Sequence, residues 1–175
     1  MGIINNLLLQ FVEESRGPEG REAVLEGAGM PGKTFLSEQL YPEEDWQKLV
    51  GATVDYMDVD GETAQKAFAR WCLPVLLKKF RPFFKSSRSA QQLMEKVPGI
   101  HRDFPSSAAE GFVDKISVVE SSDAKLIYDY TSPNGLVVFL GELGTAVAEH
   151  YGQEVEVESR EMGENHWQVE FKFVR

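Results

Sequence analysis

The sequence predicts an α+β fold, with an N-terminal helical lobe followed by a helix packed on a four-stranded antiparallel sheet. Three observations carry this. The first half of the chain repeats apolar residues at helical spacing in several separate segments. The last third alternates apolar and polar residues in four short runs, as strands with one buried face do. Between the second and third of those runs lies an apolar stretch, residues 136–151, that reads as a helix.

Gly2 to Ser15 is the first helix. Ile3, Ile4, Leu7, Leu8, Phe11 and Val12 form one broad apolar face, and Glu13, Glu14, Arg16 and Gly17 end it. Glu19 to Gly27 is a short second helix with Ala23, Val24 and Ala28 inward, followed by a loop through Gly29, Pro31 and Gly32. A third begins within Leu40–Trp46, with Pro42 and acidic residues in its first turn. It runs through Leu49, Val50, Val54 and Met57 and breaks at Asp58, Asp60 and Gly61. The acidic run Asp55, Asp58, Asp60, Glu62 lacks the EF-hand spacing and reads as a cap and turn. Glu62 to Phe84 is apolar and aromatic, kinked or interrupted at Pro74 and Pro82, with Cys72 as a buried apolar residue inside it.

Ser89 to Val97 reads as a helix that Pro98-Gly99 interrupts. Ile100-His101-Arg102 follows, and Pro105 stops any further helix. Ser106 to Gly111 is a loop of small residues. Phe112–Glu120 and Lys125–Thr131 form a hairpin, with Leu126, Tyr128 and Tyr130 on one face of its second strand. In the helix Leu136–Tyr151, Gly141 and Gly144 permit close approach of another backbone or of a flat ring. Glu154–Glu158 and His166–Val174 complete the sheet around a turn at Met162–Asn165, with Trp167, Val169, Phe171 and Phe173 inward. His150 and His166 flank turns and are expected at the surface.

At 175 residues and 42% apolar content the chain suits one globular domain. The net charge of −10 argues against non-specific binding to nucleic acid or anionic lipid. The Lys78, Lys79 and Arg81 cluster reads as a solvated helix face. A single cysteine, Cys72, excludes an internal disulfide and a cysteine-rich metal site. The N-terminus lacks a basic region, and Asn5, Asn6 and Gln10 break its apolar run. No segment reaches a transmembrane length, so a soluble cytoplasmic protein is expected. No Walker loop, dinucleotide fingerprint, His-Glu-x-x-His or Gly-x-Ser-x-Gly appears, so no enzyme is expected.

The candidate site is the stretch Leu126-Ile-Tyr-Asp-Tyr-Thr-Ser-Pro-Asn-Gly135. A strand, a tight turn and an apolar helix put Tyr130, Ser132 and Asn134 at the mouth of a cavity with the helix as one wall. Their hydroxyls and amide suit an anionic group. The same residues also suit a plain strand-to-helix turn in which Ser132 caps the helix.

Tyr130-Thr-Ser132-Pro-Asn134 resembles the Tyr-x-Ser-x-Arg signature of the H-NOX family, the haem nitric oxide/oxygen-binding domains. Three further stretches agree in order: Met1-Gly-Ile-Ile-Asn-Asn-Leu-Leu-Leu-Gln-Phe-Val with the family's opening helix, Phe68-Ala-Arg-Trp71 with its Phe-Gly-Arg-Tyr stretch, and Gly163-Glu-Asn-His-Trp-Gln-Val-Glu-Phe-Lys-Phe with its closing strand. The resemblance implies a haem b cofactor, with His101 as the iron ligand and Tyr130, Ser132 and Asn134 on the propionates. Ile4 and Leu8 would lie over the distal side. Phe139 falls where oxygen-binding members place a tyrosine, so nitric oxide and carbon monoxide are favoured over oxygen. The family organisation implies a helical subdomain over about residues 1–60 and a ligand-binding subdomain over about 61–175. Nitric oxide binding would weaken or break the His101–iron bond, and a partner such as a histidine kinase or a cyclic-di-nucleotide enzyme would read the resulting movement. The main departure is Asn134, which stands where the family has arginine, beside a segment after His101 that is shorter than usual. The alternative it raises is a haem-free module of the same fold for another small apolar ligand or a protein partner. Arg70 and Arg102 are the candidates for a basic side chain reaching the propionate site.

Overall fold

The computed structural model describes residues 2–103 and 115–174. Helices α1 (Gly2–Arg16), α2 (Pro18–Gly27) and α3 (Glu43–Met57) pack together with the first half of α4 (Gly61–Lys79). Leu9, Val12, Val24, Leu49 and Cys72 are fully sequestered in this first core. Its rim is aromatic, with the Phe11 and Phe68 rings 5.6 Å apart and Trp71 stacked near Phe68. Gly2 is buried and its N–H donates to the Gln39 carbonyl at 2.7 Å. A side chain at Gly2 would strike the Leu36 backbone. Helix α3 starts after Pro42, one residue later than a proline in its first turn requires, and ends at Asp58 in the left-handed conformation. Asp60 then caps α4, accepting from the Thr63 N–H at 2.9 Å. Pro74 lies inside α4 on an exposed face without ending the helix.

Three short helices follow: α5 (Arg81–Lys85), α6 (Ala90–Met94) and α7 (Val97–Arg102). The helix expected over 89–97 ends at Met94, and Pro98 opens the next helix instead of interrupting the last. A proline in the first turn loses nothing, because its missing N–H would have had no partner there. The expected Pro105 stop, the Ser106–Gly111 loop and the start of the first strand at Phe112 lie outside the described residues.

Strands β1 (Ile116–Ser122), β2 (Lys125–Thr131), β3 (Glu154–Gly163) and β4 (His166–Val174) form one antiparallel sheet in the order β1-β2-β4-β3. The inward alternation holds: Leu126 pairs with Phe171, Tyr128 with Val169 and Tyr130 with Trp167. Strand β3 runs past the expected Glu158 to Gly163, leaving a tighter turn in which Asn165 takes φ 56°. Helix α8 (Val137–His150) covers the apolar face of this sheet. Its Gly144 sits against the Phe171 ring and its Gly141 against Val157, so these glycines admit the sheet's side chains. The Tyr128 hydroxyl donates to the Met94 carbonyl at 2.5 Å, tying α6 to the middle of the sheet.

Candidate functional site

The site is built where β2 turns into α8. Tyr130 is the last inward residue of β2 and is 8% exposed. Ser132 leaves the strand with its N–H bonded to the Asn165 carbonyl at 2.9 Å, and it is 2% exposed. Its Oγ accepts from the Asn134 N–H at 3.2 Å, which closes a serine turn. Gly135 follows at φ 62°, a conformation glycine adopts without strain. The expectation that Ser132 caps the helix is therefore corrected: α8 starts after Leu136, without a side-chain cap, and Ser132 spends its oxygen inside the turn.

The Tyr130 hydroxyl meets the Ser132 side chain and the Leu136 backbone. Burial pushes this phenol above its ordinary range, those two hydrogen bonds pull it partly back, and the Glu43 carboxylate nearby pushes it up again. The backbone carbonyl of Asn134 accepts from the Trp46 indole N–H at 3.1 Å, so the start of α3 holds the turn from outside. The Asn134 Oδ1 atom is different: it is buried and has no hydrogen-bond partner.

Beside this turn, Leu8, Phe11, Trp46, Gln65, Phe68 and Leu136 help to line an apolar cavity of about 20 Å³. That is room for about one water-sized molecule. Gln65 Oε1 accepts from the Phe139 N–H at 3.1 Å, satisfying one of the donors that the first turn of α8 leaves open. The Phe139 ring packs on Phe68 with centroids 5.1 Å apart. Ile4 is half-buried against the same core.

His101 is half-buried in the last turn of α7, which lies against β1, the neighbour of the Tyr130 strand. Arg70 is committed elsewhere. Its guanidinium bonds Glu142 at 2.5 Å and also Glu149, clamping α4 to the outer side of α8. These carboxylates raise its pKa further. A different cation lies near the end of β2: Lys115, whose carbonyl accepts from the Thr131 N–H, pairs with Glu43 in the first turn of α3. Cys72 is fully buried and its thiol is pushed up by desolvation, so it is an inert apolar group. His166, expected exposed, is half-buried with Nε2 2.7 Å from Asp129 Oδ1 across the sheet. Among the described residues no cluster of histidine, cysteine and carboxylate side chains forms a metal site.

Tyr130, Ser132 and Asn134 thus come together, with Leu8 and Phe139 on the adjoining apolar wall. Trp46, Gln65, Glu43 and Lys115 went unnoticed in the sequence. Trp46 lies 88 residues from Asn134, and Gln65 lies 74 from Phe139. No local spacing signals such pairs.

Comparison with known proteins gives a consistent result. The sequence matches no curated protein. The structure is similar to an H-NOX protein from S. oneidensis in the Fe(II)NO ligation state, at a TM-score of 0.82 and 18% identity over 99% of both chains. It is also similar to a K. algicida H-NOX protein in the Fe(II) unliganded state, at a TM-score of 0.80 and 16% identity, covering 99% of this chain and 96% of the other. An oxygen-binding H-NOX domain related to soluble guanylate cyclases, in its oxygen complex, matches at 0.82 and 13% identity, covering 99% and 95%. At these identities the likenesses show the fold. The family model HNOB, Haem-NO-binding, matches residues 1–159, and the chain therefore belongs to the H-NOX family.

Proposed function

We propose that the protein is a haem-based gas sensor, with a haem b held between the helical subdomain, to about residue 60, and the α8-and-sheet subdomain. The observation that carries this is the unpartnered, buried Asn134 Oδ1 beside two buried hydroxyls. Leaving a buried polar atom unpaired costs about 1–3 kcal/mol. A half-turn of the amide about its last bond puts the NH₂ group there instead, and that group is a donor. With Tyr130 and Ser132 it makes a donor set that fits a carboxylate. The raised pKa keeps the Tyr130 proton in place at neutral pH, so it stays a donor.

When bound, haem would supply an iron that binds a diatomic gas, and a neutral imidazole is a suitable protein ligand for it. His101 is the imidazole we assign to it. Ile4, Leu8 and Phe139 make the gas side apolar, and Phe139 offers no side-chain donor, which favours nitric oxide and carbon monoxide over oxygen. The 20 Å³ cavity beside Leu8 and Phe68 suits a molecule of that size. The Arg70 clamp couples α4 to α8, so displacement of one helix pulls on the other. A protein partner, a histidine kinase or a cyclic-di-nucleotide enzyme, would read that displacement. The role is sensory, not catalytic, and no described helix is long and apolar enough to cross a membrane. A cytoplasmic setting belongs to the same proposal.

One observation favours a second reading. The Phe68–Phe139 contact suits a haem-free module for a small apolar ligand or a partner. Haem uptake separates the two. Protein from haem-supplemented cells should keep a Soret band through gel filtration, and His101→Ala should shift or abolish it. A colourless protein that takes up no added haem sinks the sensor and leaves the second reading.

A further inference from the structure

The signature turn lacks the arginine of its family, yet a lysine borders it just before β1. Thr131, the middle residue of Tyr130-Thr-Ser132, donates its N–H to the Lys115 carbonyl at 2.9 Å. In the same ladder Ile116 pairs with Tyr130. Lys115 is therefore opposite the turn, and its ammonium pairs with Glu43 in the first turn of α3. Three residues on, Trp46 of the same helix donates to the Asn134 carbonyl. Three residues of helix span about 4.5 Å. The ion pair and the Asn134 contact are thus made by residues about one turn apart on one helix, and the four-carbon stem of the lysine is flexible. Both partners are only partly exposed, Lys115 at 34% and Glu43 at 42%.

We propose that Lys115 takes the place of the missing arginine: it turns from Glu43 toward a carboxylate of the bound ligand, and Glu43 competes for it. The inference rests on the haem reading, in which that carboxylate is a propionate. It assigns opposite roles to the two members of one ion pair. Lys115 draws the ligand in and Glu43 holds it off. A purely structural pair would lose the same interaction whichever member is removed.

The test is equilibrium titration of the full chain with haem, and in parallel with haem whose two propionates are methylated. Lys115→Met should weaken haem binding by a few-fold, up to about fivefold, the size expected of a partly exposed charge pair. Glu43→Gln should tighten it by a few-fold. Both effects should vanish with the methylated haem, which has no carboxylate to offer. Circular dichroism of each variant confirms that it is folded, and Glu43→Gln keeps the test decisive if Lys115→Met is not. Equal effects on the two haems, or loss of affinity in both variants, overturn the role of Lys115 while leaving haem binding intact. A wild-type chain that binds neither haem overturns the sensor reading, and this inference with it.

Discussion

A single amide decides how the site is understood. Asn134 has the backbone of a turn residue, with its N–H on Ser132 and its carbonyl on Trp46, and its side-chain oxygen is buried without a partner. Ser132→Ala should strand the Asn134 N–H and remove a neighbour of the Tyr130 hydroxyl. We expect a loss of about 1–2 kcal/mol in urea unfolding, together with weaker haem uptake. Tyr130, Ser132 and Asn134 were legible in the sequence because strand period and turn chemistry fix their neighbourhood within five residues. Glu43, Gln65 and Lys115 were not, because register and helix packing across 70 or more residues decide what they touch.

At the scale of elements, the predicted runs succeeded where one period dominates. Strand Lys125–Thr131 matches to the residue, and α8 differs by one residue at each end. They failed where proline has two meanings. Pro98 breaks a helix that contains it but starts one that follows it, and only the observed end of α6 at Met94 distinguishes the cases. The packing of α8 on the sheet depends on Gly144, whose added Cβ would fall within 3.0 Å of the fully buried Phe171 ring. Gly144→Ala should cost about 1–3 kcal/mol through overpacking, despite a helix propensity that favours alanine. A urea midpoint equal to wild type would refute that close approach. Trp46 holds α3 on the turn through its bond to the Asn134 carbonyl, so Trp46→Phe should cost about 1 kcal/mol. It should also raise hydrogen exchange at Asn134 and Gly135 relative to the sheet.

Across the whole molecule, buried phenols give stability a defined pH limit. Burial raises Tyr128 well above its ordinary value of 10 and raises Tyr130 in the same direction. The unfolded chain releases these protons first as pH climbs. The contribution is therefore fully present below about pH 10 and is lost as pH rises through the folded values. Urea midpoints should hold up to about pH 9–10 and fall beyond it, with tyrosinate absorbance rising alongside unfolding. Tyrosinate that forms near the ordinary pKa before any unfolding would contradict the buried positions of these rings.

The most direct measurement of gas sensing is the visible absorption spectrum of the ferrous, haem-loaded protein before and after nitric oxide, carbon monoxide and air are admitted separately. The Soret band should shift with nitric oxide and with carbon monoxide, and no stable oxygen complex should form beside Phe139. A protein that holds no haem, or whose Soret band ignores nitric oxide, would contradict the sensor reading.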